Sequence, residues 1–208
     1  MPVLALGRRD GAEGAGHLPQ RAEGERRGEA RVRNRGAAVT LTAGLDTTLP
    51  THERIKGLLP HRYPMLLVDA VRELRAGESI RAAKAVTLDE PAYARTRRGA
   101  ARAASQGYPT SLVIESFCQT AGILFMESGL GGYDRHRHVL LFGALVGCRV
   151  SGAAFPGDVL THRASIVKVF SDSAVFAGEV AVDGGTVLTV DHVVMAVRDR
   201  GTIQETRP

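Results

Sequence analysis

The 208 residues, 44% of them hydrophobic, are enough for one domain with a real core and an added segment. The net charge is +5, but residues 1–40 hold eight arginines against five acids, so the other 168 residues carry only +2. This nearly neutral part of the chain lacks the basic surface, with aromatic residues among the charges, that is typical of proteins that bind nucleic acids. No apolar run approaches membrane-spanning length, so we expect neither a nucleic-acid nor a membrane partner.

Residues 1–45 are predicted to be a disordered extension rich in Arg, Gly and Ala, because they have too few large apolar residues to offset the entropy of ordering. An organellar transit peptide is the alternative, although such peptides avoid acids and this segment contains Asp10, Glu13 and Glu23. Residues 46–200 are predicted to form the folded domain, and residues 201–208 a tail.

The first elements of the domain are predicted to be a short helical turn at residues 55–59 and a β-hairpin. Residues 65–74 and 78–87 read as antiparallel strands joined at Ala76-Gly77, after a turn fixed by Pro60 and Pro64.

Residues 92–107 contain four arginines and no acid, namely Arg95, Arg97, Arg98 and Arg102. A solvated loop is one interpretation of this cluster. An electropositive lip that binds a phosphate or an acidic partner is the other.

Residues 108–130 are predicted to form one long helix that begins at Pro109, since proline is tolerated in a first turn. Thr110 or Ser111 is expected to cap it. The helix is apolar on almost every side, which indicates that the domain surrounds it. Glu115 is the exception, with Ser111 and Gln119 one turn away on the same face. A carboxylate in apolar surroundings is costly without a partner or a task, so Glu115 is the candidate functional residue.

Four further strands are predicted after the helix, at residues 139–150, 158–170, 174–183 and 186–199, and Asp183-Gly184-Gly185 is a hairpin turn signal. Two strands, a buried helix and four strands indicate an α+β domain whose antiparallel sheet curls around the helix. Cys118 and Cys148 lie in apolar segments without metal-ligand spacing, so we expect free thiols, no metal site and a reducing compartment, the cytoplasm.

Four blocks of this sequence together resemble one enzyme family. They are LLPHRYPMLLVD, DEP, YPTSLVIESFCQTAGIL and LFGALVGCRVSGAAFPGD, in consistent order over about residues 52–199. They resemble the 3-hydroxyacyl-(acyl-carrier-protein) dehydratases of type II fatty acid synthesis, and most of all the FabZ type. The resemblance implies the hotdog fold, in which a curved antiparallel sheet wraps one long helix.

The resemblance also implies chemistry for several residues. Family members remove a proton from C2 and expel the C3 hydroxyl as water, with a histidine as the base and a helix carboxylate assisting the hydroxyl. By match, Glu115 is that carboxylate, and Gln119 is the family's glutamine one turn later, a substrate-binding residue with a holding or orienting role. The backbone at Thr110 or Ser111 then binds the thioester carbonyl. No resident cofactor is implied, because phosphopantetheine arrives on the acyl carrier protein. The site lies across a dimer interface.

The sequence departs from the family where the histidine is expected. The Gly-His-Phe-Pro element before the helix is absent, and no histidine lies between His61 and His136. Thr110 replaces a glycine of the family. His61 belongs to the PHRYP block, which reads as an entrance loop, and Tyr63 and Tyr108 titrate too high to be good bases. His162 and His192 lie on predicted strands, where a core or surface role is usual.

Three functions remain open at this stage. The first is a dehydratase that combines Glu115 with a substitute base or with the histidine of a second subunit, in a homodimer or heterodimer. The second is a hotdog acyl thioesterase that uses Glu115 alone to activate water or attack the thioester. The third is a catalytically lapsed protein that binds an acyl chain or an acidic acyl carrier protein, for which the Arg95–Arg102 cluster is suited. The acyl thioester substrate is expected on an acyl carrier protein or CoA.

Overall fold

The computed structural model describes residues 49–94 and 107–204. Its helices are α1 (His52–Leu58), α2 (Thr110–Glu127) and α3 (Arg200–Gln204), with 3-10 turns at Pro91–Tyr93 and Leu130–Gly132. Its strands are β1 (Ala70–Arg75), β2 (Ser79–Ala85), β3 (His138–Val150), β4 (Val159–Val169), β5 (Ser173–Val182) and β6 (Gly185–Asp199). The predicted extension at residues 1–45 and the arginines of residues 95–102 lie outside the described residues.

The six strands form one antiparallel sheet in the order β1-β2-β4-β5-β6-β3. Helix α2 packs against β2 to β6 and contributes the fully buried Phe117, Ile123 and Leu124 to the core. This is the α+β hotdog arrangement that the sequence predicted, and that prediction is confirmed.

The last four strands begin and end within one residue of their predicted limits. The turn between β5 and β6 explains this agreement, because Asp183 has φ of 48° and Gly184 has φ of 83°. Two successive residues with positive φ form the turn that matches the twist of a β-hairpin.

Residues 65–69 are not part of β1, although their apolar run predicted a strand that begins at Met65. The strand begins at Ala70. The backbone of Met65 and Leu67 bonds instead to the side chain of Gln119 on α2. A buried backbone group needs a partner, and here the partner is a side chain rather than a neighbouring strand.

The close approach of α2 to the sheet depends on Gly178 in β5. A Cβ atom at this position would lie 2.0 Å from the carbonyl oxygen of Arg163 and 2.9 Å from the Phe117 ring. Only glycine leaves room there, and Phe117 sits two residues after Glu115 on α2. The sheet therefore sets the depth at which the candidate functional residue lies.

Cys118 and Cys148 are free thiols, as predicted. Burial raises the pKa of the Cys118 thiol to about 12, so this thiol stays protonated and unreactive at neutral pH. None of the helices within residues 49–94 and 107–204 is long and apolar enough to cross a membrane.

Candidate active site

Glu115 lies in the second turn of α2, on a side of the helix that the sheet does not cover completely. Its side chain is 28% exposed. The next residue, Ser116, is fully buried, so the helix turns from a partly open face to the core within one residue. A carboxylate at this boundary keeps one side accessible to a ligand while its other side contacts protein.

Gln119 links Glu115 to the segment that follows α1. Its side-chain nitrogen donates to Glu115 Oε1 at 2.8 Å and to the Met65 carbonyl at 2.7 Å. Its oxygen accepts from the Leu67 N–H at 2.9 Å. The side chain is fully buried and makes three hydrogen bonds, so its amide orientation is determined by its partners.

His61 is the second group that contacts Glu115. Its Nε2 lies 3.3 Å from Glu115 Oε1, and its side chain is also 28% exposed. Its Nδ1 is enclosed by protein and has no hydrogen-bond partner among the described residues. The turn that carries His61 is held by Arg62, whose guanidinium donates to the carbonyls of Leu59 and His61 at 3.0 and 2.6 Å.

Sequence reasoning gave His61 little weight as a base, because it belongs to the PHRYP block, which reads as an entrance loop, and because a base is chosen by its geometry first. The structure brings the two side chains together. A signal was present in the sequence: Gln119 is a buried amide beside Glu115, and such an amide needs several partners from another segment.

Both contacts to Glu115 involve the same carboxylate oxygen, Oε1. Within the described part of the chain, no hydrogen bond or ion pair engages Oε2. One oxygen is therefore used for positioning, and the other is available to accept from, or donate to, a ligand hydroxyl.

An apolar pocket of about 280 Å³ extends from His61 and Gln119 along α2. Gly122 and Met126 continue the helix wall, and the first residues of β3 form the opposite wall. The full lining is Leu59, Pro60, His61, Gln119, Gly122, Met126, Tyr133, Val139, Leu140, Leu141, Phe142 and Arg200. Gly122 lines this pocket, whereas the neighbouring small residue Ala121 is buried in the core.

A cationic pocket adjoins the apolar one and shares Leu59, Pro60, Tyr133 and Arg200 with it. Its volume is about 270 Å³. Its lining includes five basic residues and no acidic one, namely Lys56, Arg62, Arg135, His136 and Arg200. An anionic group is therefore favoured at this end of the apolar pocket.

The entry to α2 differs from the prediction in one respect. Pro109 is the N-cap residue, and no side chain caps the helix, so neither Thr110 nor Ser111 does so. Both residues are exposed, and within the described residues Ser111 has no hydrogen bond to Glu115. Within the described residues, the backbone N–H groups of Thr110 and Ser111 have no hydrogen-bond acceptor, whereas those of Leu112 and Val113 donate to the Pro109 carbonyl.

A buried ion pair holds the backbone on both sides of residues 95–106. Lys84 Nζ lies 3.0 Å from Glu90 Oε1, and the same oxygen accepts from the Thr87 N–H. The ammonium also sits 5.6 Å from the ring centroid of Tyr108, just before α2. Burial raises the pKa of Tyr108, so its phenol stays neutral and is not a base.

Three other histidines of the described segments, namely His136, His138 and His162, have different surroundings. His162 is fully buried with Nε2 2.7 Å from Ser116 Oγ, and burial lowers its pKa to about 4, so it is a neutral core residue, as expected for its strand. His138 Nδ1 accepts from the Asp134 N–H, and His136 Nε2 accepts from Arg135. None of these three contacts Glu115.

Comparison with known proteins identifies the family. A family model described as a FabA-like domain matches residues 59–191, which include His61, Glu115 and Gln119. The chain belongs to the FabA-like family. It is 31% identical over 144 residues to the 3-hydroxyacyl-(acyl-carrier-protein) dehydratase FabZ of Campylobacter jejuni, covering 69% of this chain and 95% of that protein. It is 34% identical over 149 residues to the same enzyme of Thiobacillus denitrificans, covering 71% and 97%.

A solved structure agrees with this assignment at the level of the fold. The dehydratase heterocomplex ApeI:P of Xenorhabdus doucetiae aligns with a TM-score of 0.58 and 17% sequence identity, over 74% of this chain and 97% of that one. An identity this low supports the hotdog fold alone. The resemblance that the sequence blocks carried is confirmed by the FabA-like match and by the FabZ relatives.

Proposed function

We propose that this protein is a 3-hydroxyacyl-thioester dehydratase that converts a 3-hydroxyacyl group on a carrier into the 2-enoyl form. The observation that carries the proposal is Glu115, oriented by Gln119 and His61, which both line the apolar pocket. Its second carboxylate oxygen has no partner among the described residues. The FabZ relatives, whose name states this activity, support it.

The arrangement suits elimination of water better than other reactions of thioesters. An acyl chain in the apolar pocket places the C3 hydroxyl near Glu115, and the N–H groups of Thr110 and Ser111 are donors for the thioester carbonyl. Enolate character that develops on that carbonyl is then stabilised by the helix N-terminus. Fatty acid synthesis or a related acyl or polyketide route is the setting that this chemistry fits.

We propose that a second hotdog chain pairs along β3. This strand is an edge of the sheet, thirteen residues long, and its exposed apolar side chains include Leu141, Phe142, Leu145 and Val146. A long apolar edge that remains uncovered promotes aggregation. The heterocomplex of dehydratase chains named above supports an unlike partner as one form of this pairing. A monomeric molar mass by light scattering, both alone and mixed with a neighbouring hotdog protein, would contradict the pairing.

The product formed by the purified protein tests the proposed activity. A 3-hydroxyacyl and a saturated acyl thioester are each incubated with the protein, alone and with any neighbouring hotdog protein. We expect 2-enoyl product from the first substrate and no thiol release from the second. Free thiol from the saturated substrate would indicate a thioesterase instead. Binding without either product would indicate a protein that has lost catalysis.

The substrate carrier is proposed to be an acidic acyl carrier protein, with Arg95, Arg97, Arg98 and Arg102 as its docking residues. The cationic pocket is the competing surface in the described part of the chain. We expect the double variant Arg97→Glu, Arg98→Glu to lower kcat/KM for a carrier-borne substrate about tenfold or more. A short N-acetylcysteamine thioester should be unaffected. If Lys56→Glu, Arg135→Glu has that effect instead, docking occurs at the cationic pocket.

A further inference from the structure

The base that takes the C2 proton is the part of the site that the family resemblance leaves unassigned. No histidine occurs at positions 62–135, so the segment just before α2 cannot supply it. We propose that His61 is this base and that it works with Glu115 of the same chain. The proposal rests on the proposed dehydratase activity and deepens it by naming a second catalytic residue.

The position of His61 is fixed by bonds on both sides of it. Arg62 donates to the carbonyls of Leu59 and His61, and the N–H groups of Met65 and Leu66 donate to the Arg62 carbonyl. Gln119 then ties Met65 and Leu67 to α2. The histidine turn is thus attached to the helix that carries Glu115, and a general base has to be held in this way to be effective.

The two ring nitrogens of His61 have different environments. Nδ1 is enclosed by protein, whereas Nε2 lies on the side of Glu115, and the residue lines the apolar pocket. A substrate therefore meets Nε2. Because Glu115 and His61 approach from one chain and touch each other, both act on the same side of the acyl chain.

One proton shared by the pair is sufficient for a complete turnover. Before reaction this proton is on Glu115, and His61 Nε2 takes the C2 proton. The C–H electron pair forms the C2=C3 bond, and the C3–O bond breaks with its electrons on oxygen. The departing hydroxyl takes the proton of Glu115 and leaves as water. The imidazolium then returns its proton to Glu115 Oε1 across the 3.3 Å contact, which restores the pair.

His61→Asn tests this assignment in the dehydration assay with the full chain. We expect kcat to fall about 10²- to 10⁴-fold with little change in KM, as for loss of a positioned base. His52→Asn is the matched control, because His52 is exposed on α1, and it should retain wild-type kcat. Free imidazole should restore part of the activity of His61→Ala, which a purely structural role would not allow.

Three results would overturn the proposal. The first is that the wild type is active and the kcat of His61→Asn lies within fivefold of the wild-type kcat. The second is a wild-type chain that makes enoyl product only with a second hotdog protein, which places the base in that partner. The third is a His61→Ala variant that folds but gains nothing from imidazole. His61→Gln replaces His61→Asn if thermal unfolding shows that the asparagine variant is not folded. Failure of the proposed function itself looks different, since the wild type then forms no enoyl product in any combination.

Discussion

Glu115→Gln is expected to lower kcat for dehydration by about 10²- to 10⁴-fold and to leave the fold intact. The amide has nearly the volume of the carboxylate, and its oxygen still accepts the 2.8 Å hydrogen bond from Gln119. It cannot hold the proton that the leaving hydroxyl needs. The measurement is the rate of enoyl formation, with thermal unfolding as the check on folding.

Glu78→Gln is the matched control for this variant. Glu78 is an exposed acid whose side chain pairs with Arg75 on the surface of the β1–β2 hairpin, so its loss should leave kcat unchanged. Full activity of Glu115→Gln would show that the site assignment is wrong. If Glu115 and His61 act as one unit, the double variant Glu115→Gln, His61→Asn should lose little more activity than either single variant.

The sequence predicted the scaffold of this protein well because the signals are local. An apolar helix entered at Pro109 and strands separated by turn residues such as Asp183-Gly184 are visible within short windows. The family blocks then agreed with the order of the elements that these local signals had given. Glu115 and Gln119 could be paired in advance because they are one helical turn apart, and the structure confirms that they are bonded.

The part of the site that the sequence did not reveal depends on contacts between distant segments. His61 lies beside Glu115 on a segment whose Met65 and Leu67 bond to the Gln119 side chain instead of to a neighbouring strand. Residues 65–68 read as the start of a strand, since Met65, Leu66, Leu67 and Val68 form a short apolar run. A periodicity argument has no means of finding a backbone segment whose hydrogen-bond partner is a side chain more than fifty residues away.

Gln119→Leu is expected to reduce both stability and activity, because Gln119 is the connection on which the rest of the site depends. Leucine fits the buried space but satisfies neither the Leu67 N–H nor the Met65 carbonyl. Leaving such groups unpaired costs about 2–4 kcal/mol of the free energy of unfolding in total. Urea denaturation measures this loss. The enoyl assay should show at least a tenfold fall in kcat, since the His61 turn is no longer tied to α2.

Thr120→Val separates this specific role from a general effect of altering a buried polar residue on α2. Thr120 is also fully buried, but its hydroxyl bonds only to the Ser116 carbonyl within the helix, among the described residues. Its variant should therefore keep nearly all of the wild-type kcat.

Gln119→Glu adds a second test, because it retains an acceptor for Leu67 but brings a second carboxylate beside Glu115. Like charges repel at this distance, so protonation of the two carboxylates favours folding. We therefore expect the stability of Gln119→Glu, relative to that of Gln119→Leu, to be higher at low pH than at neutral pH. Wild-type activity in Gln119→Leu would mean that His61 and Glu115 hold their positions without Gln119, and the connection would then have no part in catalysis.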